Sequence, residues 1–432
     1  MDRCGWIATS SSINKFPTLG KDIKTDFLIV GAGIAGISCA INLARINPSQ
    51  RIVLVEKNRL GQGASSRNSG FVVCHEKPGD GEYINQAGFE RYRQETQFGT
   101  AASQLVAQYV KQFDIDCDFD PSGYFIGVSD SSKMSDPAQL LATLNAVGAQ
   151  VSLQEGDALA ARLGTDFYKI AVHCAGGNAL IQPAKYVQGL IAALPPNVEV
   201  YEQVNVHAIH PAAGNVLEIR GNGHCITTDR VIVCAGAYPG RAGVKSAHIL
   251  PLELTASLTR PLNQQELNAM DAPQPWGILS AALTGATVRL TQDRRLMIRN
   301  TLEYRCRDVS AAELQARQNV HLAGLQRRFP WLVRQDIAYT WSGHLSGTRT
   351  GNPLFKQWGN QMFTVSGCNG SGIARGTLWG KLLAEYASGE SSDLLRYALK
   401  HGEPGWLPPR PFLDIGASLK IGYERFKSSS EI

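Results

Sequence analysis

The chain has 432 residues and 46.8 kDa, with 44% hydrophobic and 18% charged residues; this excludes a disordered or fibrous protein and leaves room for two or three domains. Its 42 basic residues outnumber its 37 acidic ones by five (42 − 37), with no run of five bases, so charge makes no case for nucleic acid. Nine cysteines, at 4, 39, 74, 117, 174, 225, 234, 306 and 368, include no CxxC pair, which disfavours a disulfide framework or a metal site and makes a reducing, cytoplasmic compartment the expectation.

The first 24 residues lack an apolar core of signal-peptide length. No stretch reaches the roughly 18 apolar residues of a spanning helix. Thr25-Asp26 then leads into Phe27-Leu28-Ile29-Val30, an apolar run stopped by glycine, which reads as a buried parallel strand. Gly31-Ala32-Gly33-Ile34-Ala35-Gly36 follows, a complete GxGxxG. A helical pattern over residues 37–46 ends at Asn47-Pro48. A second strand, residues 51–56, finishes on Glu56, twenty positions after Gly36 (56 − 36).

Strand, loop, helix, strand and terminal acid in this register spell a dinucleotide site. Gly31 permits the tight turn, Gly33 lets the backbone approach a pyrophosphate, and Gly36 lets helix and strand pack. The helix N-terminus offers free N–H groups to phosphate. Glu56 is placed to accept from ribose hydroxyls, and its charge repels a 2′-phosphate. The stretch from Lys57 through Gly61-Gln62-Gly63-Ala64-Ser65-Ser66-Arg67-Asn68-Ser69-Gly70 is small and glycine-rich. An NAD domain would enter its next helix here; a backbone passing close to a flat ring needs small residues instead.

Further along, residues 85–113 read as a helix and 123–128 as a strand. Leu180-Ile181-Gln182-Pro183 opens a helix to residue 194. Residues 198–201 and 204–209 read as strands, as does Arg230-Val231-Ile232-Val233-Cys234-Ala235-Gly236-Ala237-Tyr238. Residues 287–291 and 295–299 alternate around a turn as a hairpin. Ser310 and Glu313 form a capping box for a helix to about residue 327. Phe363 to Ala374 is a strand running into a glycine-rich loop, and a helix over residues 376–388 has Gly389 beyond its end.

The resulting fold class is α/β plus α+β. A Rossmann-like dinucleotide-binding domain (1–80, 170–250 and 340–395) is interleaved with an antiparallel-sheet cap (81–169 and 251–339). In the tail, 396–432, Phe412, Leu413, Ile415, Leu419, Ile421, Tyr423 and Phe426 are interspersed with Arg410, Lys420, Arg425 and Lys427. A basic helix lying on the inner membrane fits this pattern, and so does a helix docked on its own protein.

The run Gly63 to Gly70, the Ala235-Gly236-Ala237 strand end, Trp341-Ser342-Gly343 and Gly370-Ser371-Gly372-Ile373 resemble the FAD-dependent amino-acid and amine oxidase family, the D-amino acid oxidase superfamily. Within it they are similar to the branch of γ-glutamylputrescine and L-pipecolate oxidases. Cys4-Gly5-Trp6 and Phe71-Val72 agree. The resemblance spans roughly residues 25–395. It implies that the Rossmann-like domain is FAD-binding and the cap substrate-binding, with FAD held by Gly31, Gly33, Gly36, Glu56, Lys57, Ala64, Ser65, Arg67, Asn68, Ser69, Gly70, Val204, Ala235, Gly236, Gly343, Gly370, Gly372 and Ile373. The binding is non-covalent, because Gly343 stands where some relatives carry a linking cysteine and Cys368 is displaced from it.

The family implies oxidation of the C–N bond of an amino acid or amine, a cyclic imino acid such as L-pipecolate foremost, by hydride transfer to the flavin. Oxygen or a quinone or other electron carrier takes the electrons. A polyamine-derivative oxidase, a quinone-linked dehydrogenase and a flavin protein without turnover are the alternatives. No catalytic residue is singled out. A guanidinium matches a carboxylate's two oxygens, which makes Arg299 and Arg349 the leading substrate-binding candidates, with Arg67 and Arg375 behind them. His75 and His344 are further pocket candidates. Ala374 stands where sarcosine oxidases place a lysine, which argues against that substrate.

Overall fold

A computed structural model of the chain describes residues 3–75, 86–134, 137–212, 216–221, 223–244, 247–271, 273–400 and 402–432. Ile23–Val30 is the central strand of the nucleotide sheet. It lies parallel to Ile52–Val55 on one side and to His224–Val233 on the other. Val198–Tyr201 extends the sheet beyond Ile52–Val55, and Met362–Ser366 and Leu354–Trp358 extend the opposite edge. The four residues of Ile52–Val55 are all buried, as a parallel strand covered on both faces requires.

One face of this sheet carries the helices Ile34–Ile46 and Ala374–Ser388. They cross at Gly380, where a Cβ would lie 2.3 Å from the Ala35 carbonyl oxygen and 2.7 Å from the Ser38 Cβ, so only glycine lets the two approach. The second helix closes on Gly389 in the left-handed conformation, φ +77°.

The second sheet has nine strands in the order 303–304, 250–259, 296–299, 287–290, 276–280, 124–128, 170–174 and 151–155, with Ile337–Gly347 running antiparallel along Leu250–Thr259. Side chains alternate across it. Phe125, Trp276, Ile278, Val288, Leu296 and Ile298 pack with Leu325 of the helix Ala311–Gln326, whose capping box joins Ser310 and Glu313. The opposite face meets the nucleotide half: a Cβ on Gly277 would touch Phe71 at 2.8 Å and Leu180 at 2.9 Å.

Two strands differ from the sequence reading. Ile170–Cys174 and Ile337–Gly347, expected in the nucleotide half, form their backbone hydrogen bonds in the nine-stranded sheet. The closing helix begins at Ala374 rather than residue 376, and the strand expected at 204–209 is Val206–Ala212. Gln86–Gln112, Pro183–Ala192 and the hairpin of Thr287–Leu290 with Leu296–Arg299 fall where expected. The tail begins in the helix Asp393–Lys400 and forms a second, Phe412–Lys427, which has no buried residue.

Candidate active site

The glycine loop shows why its residues are small. Gly31 has φ +104°, and a Cβ there would lie 2.5 Å from the Cys234 carbonyl oxygen; one on Gly36 would lie 1.9 Å from the Gly31 oxygen. Gly33 caps the helix Ile34–Ile46 without a side chain, leaving first-turn N–H groups without intrahelical acceptors. Ser65 reaches one of them: its Oγ accepts from the Ile34 N–H at 3.0 Å.

Glu56 turns back onto the same loop. Its Oε2 accepts from the Ala32 N–H at 2.9 Å and its Oε1 from the Asn58 N–H at 3.0 Å. Val204 is buried beside it and donates its N–H to the Glu56 carbonyl at 2.8 Å. Lys57 points to solvent.

The small-residue stretch after Glu56 is stitched across to the other half of the molecule. Ala64–Ser66 is a 3-10 turn. Asn68 ties it internally, donating to the Ser65 carbonyl at 2.7 Å and accepting from the Gly70 N–H at 2.9 Å. Arg67 donates to the Gln62 carbonyl at 2.9 Å and the Ser342 carbonyl at 3.1 Å, and the Trp341 indole donates to the Arg67 carbonyl at 2.9 Å. A Cβ on Gly343 would lie 3.4 Å from the Arg67 Cβ.

Arg289, which the sequence reading did not single out, anchors this segment from below. It is 5% exposed. One guanidinium nitrogen donates to the carbonyls of Ser69 at 2.8 Å, Gly70 at 3.3 Å and Ile181 at 2.8 Å. Burial pushes its guanidinium down to about 10, opposed by Asp118, Asp120 and Asp293. A charged residue within the apolar strand Thr287–Leu290 was the one signal that could have found it.

The two helix starts converge: a Cβ on Gly376 would lie 3.5 Å from Ile34 and 4.0 Å from the Ala35 nitrogen. Both positive helix ends therefore face one region, which suits an anionic dinucleotide. Gly370 has φ +104° and Gly236 φ +55°, each with open space where a Cβ would stand. The Gly236 carbonyl is held by Ser346 at 3.3 Å and Ser366 at 2.5 Å. Ile373 is buried at the foot of the closing helix. This cradle of glycines, helix starts and a strand-end carboxylate fits FAD.

Among the substrate candidates, Arg299 shares a sheet face with Arg289. It pairs across from Thr287, two residues from Arg289 on the same strand. It donates to the Gly285 carbonyl at 3.2 Å and to the Thr287 hydroxyl at 2.5 Å. No carboxylate pairs with it among the described residues. The protein packed around it pushes its guanidinium down to about 10, while the residue as a whole is half-buried.

Arg349 is exposed and donates to the Trp406 carbonyl at 3.4 Å; the structure does not bring it to the cradle. Arg375 is paired with Glu95 at 3.2 Å. His344 alternates with Gly343, so it faces away from Arg67. Its Nε2 lies 2.5 Å from the buried Glu253 Oε2, and its ring stands edge-on to Tyr238 at 5.2 Å.

His75 is buried with both nitrogens engaged. The Asn178 amide faces Nδ1 at 3.3 Å and Cys74 Sγ lies 3.4 Å from Nε2. The Asn178 oxygen accepts from the Cys74 N–H at 2.8 Å, so its amide nitrogen donates to Nδ1 and the ring proton sits on Nε2. Burial lowers this histidine below its ordinary range. Glu76, its neighbour in sequence, lies outside the described residues.

A flavin dinucleotide enzyme built on two large sheets is the class these features define. Residues 26–386 match the DAO family, FAD dependent oxidoreductase, and the chain belongs to it. Gamma-glutamylputrescine oxidoreductase of Escherichia coli (strain K12) is 26% identical over 422 residues, covering 96% of each chain. The probable oxidoreductase OrdL of Rhizobium meliloti is 26% identical over 387 residues, 88% of this chain and 86% of its own. Glycine oxidase from Geobacillus kaustophilus superposes with a TM-score of 0.70 at 18% identity, covering 86% of this chain and 96% of that one. L-proline dehydrogenase from P. horikoshii gives 0.68 at 17%, covering 88% and 99%. The protein is an FAD-dependent oxidoreductase.

Proposed function

We propose that this enzyme oxidises the C–N bond of an amino-acid-like substrate, a cyclic imino acid such as L-pipecolate foremost, and that Arg299 holds the substrate carboxylate. The observation that carries the reading is Arg299 itself. A guanidinium packed into protein without a carboxylate partner leaves a positive charge that an anionic ligand would satisfy. It stands on the sheet face that meets the glycine-rich loop, on the strand next to that of Arg289 and opposite Thr287. When bound, FAD supplies the hydride acceptor at N5, with a dissociable attachment because residue 343 is glycine.

The chain's own residues contribute orientation. Arg289 and Arg67 fix the loop between the two sheets, and Arg299 sets the carboxylate so that the carbon bearing the nitrogen faces the ring. Oxygen or a quinone completes the cycle. A second reading, a polyamine derivative of the γ-glutamylputrescine type, is favoured by the 26% identity extending over 96% of both chains. That molecule also carries a carboxylate, at a greater distance from the amine.

Anaerobic bleaching of the yellow holoprotein separates these readings. L-Pipecolate and L-proline should reduce the flavin, and γ-glutamylputrescine is the second candidate. Putrescine, which has no carboxylate, should not. Replacing Arg299 by Met should raise KM for the reducing substrate by about ten- to hundredfold, the loss of about 1.5–3 kcal/mol of charge-assisted hydrogen bonding. Arg299→Lys should recover only part of this, because an ammonium lacks the planar fork. Flavin that putrescine bleaches as well as carboxylate-bearing amines, a KM indifferent to Arg299, or flavin that nothing in the panel reduces would defeat the proposal.

A further inference from the structure

The helix Phe412–Lys427 is turned inside out for a helix of a globular protein. Phe412, Ile415, Leu419, Tyr423 and Phe426 recur at steps of three and four, forming one stripe. All five are large apolar side chains between 57% and 80% exposed. The opposite side, with Leu413, Asp414, Ala417, Ile421 and Glu424, is the half-buried one.

The helix is not loosely attached. Asp414 accepts from the Tyr304 hydroxyl at 3.0 Å and from Arg410 Nε at 2.8 Å. Beyond its end, Glu431 is buried and accepts from the Ser129 N–H at 2.9 Å and hydroxyl at 2.7 Å, while Arg328 donates to the Glu431 carbonyl at 3.1 Å. Both ends are fixed, and the stripe between them faces outward.

Charge is sorted in the same way. The helix's two acids, Asp414 and Glu424, lie on the half-buried side, where Glu424 pairs with Lys420 at 2.8 Å, whereas Arg425 and Lys427 are exposed. Lys427 leans over the Tyr423 ring at 5.5 Å, so cation and apolar stripe present themselves together.

We propose that this stripe docks on an anionic phospholipid bilayer, the helix lying flat in the headgroup region. Charge favours lipid over protein: Arg425 and Lys427 are exposed around the stripe, while both acids of the helix lie on its half-buried side. A bilayer needs no complementary shape, only an apolar face and nearby cations. No helix among the described residues is long and apolar enough to cross a membrane, so the contact is peripheral. This proposal stands independently of the substrate reading.

The test is co-sedimentation of holoprotein with vesicles of mixed phosphatidylglycerol and phosphatidylethanolamine, against vesicles of phosphatidylcholine. The protein should pellet with the anionic vesicles and release at high salt. The double variant Leu419→Glu with Phe426→Glu should bind at least about tenfold more weakly. A triple variant, Lys420→Gln, Arg425→Gln and Lys427→Gln, keeps the stripe and should lose the preference for anionic lipid. Turnover with a soluble dye should be unchanged in both, which shows that the variants are folded. Holoprotein left in the supernatant with anionic vesicles overturns the proposal, and so does equal pelleting of the double variant. A concentration-dependent dimer dissolved by the double variant, without vesicle binding, would assign the stripe to a second copy instead.

Discussion

Glu56 meets the nucleotide loop through two backbone N–H groups, from Ala32 and Asn58. A carboxylate accepts at both oxygens and keeps further lone pairs for a ribose; a carboxamide turns one of those acceptors into a donor. Acid precipitation should leave the flavin in the supernatant, and the apoprotein then allows titration. In Glu56→Gln, FAD should bind about tenfold more weakly or worse, the loss of about 1.5–3 kcal/mol per charged hydrogen bond. An unchanged affinity would remove Glu56 from the site. Its position was legible because strand, loop and helix fix the spacing from Gly36 to the acid locally. Arg289 was hidden for the opposite reason: its three carbonyl partners come from residues 108 to 220 positions away, and no local pattern encodes them. The alternation that places Gly343 against Arg67 turns His344 the other way, towards Glu253.

At the scale of elements, His321 joins the helix Ala311–Gln326 to the strand Leu250–Thr259. Its Nδ1 lies 2.8 Å from the Ser257 hydroxyl and its Nε2 3.0 Å from the Thr255 hydroxyl. Burial first, and then the nearby Arg317, push it down to about 3 from an ordinary 6.5. The unfolded chain therefore takes up a proton below pH 6.5 that the folded protein refuses until about pH 3. The stabilisation this gives is complete above pH 6.5 and drains as the pH falls through that window. The slope is about 1.4 kcal/mol per pH unit, or about 2 kcal/mol between pH 6.5 and 5. Urea midpoints at pH 7 and 5 should separate more in the wild type than in His321→Gln, which cannot titrate; parallel shifts in the two proteins would show that the dependence arises elsewhere.

Elements with strong local punctuation, such as the capping box at Ser310 or Gly389 after the closing helix, were legible in sequence within a residue or two. Strand partnership was not. Ile337–Gly347 looks like any half-buried strand, and only its pairing along Leu250–Thr259 assigns it to the nine-stranded sheet. In the tail, Leu413 and Ile421 looked like part of the apolar stripe. The structure puts them on the protein side and leaves the other five outside.

Over the whole molecule, the nucleotide half is assembled from the two ends of the chain. The helix Ile34–Ile46 packs on Ala374–Ser388, with the Ser38 hydroxyl donating to the Thr377 carbonyl at 2.6 Å across 339 positions. On a ribosome adding roughly 5–20 residues per second, Ser38 would wait about 17–68 s for its partner. The glycine motif, finished by residue 56, spends that interval beside an incomplete parallel sheet, a slow and aggregation-exposed intermediate. Flavin cannot rescue the nascent chain, because half of its cradle has not yet been made. A fragment ending at residue 336 should therefore emerge from gel filtration colourless despite carrying the entire motif, and should gain FAD when residues 337–432 are co-expressed. A yellow fragment would mean that the N-terminal portion folds by itself. The supply of flavin would then matter during synthesis rather than after release.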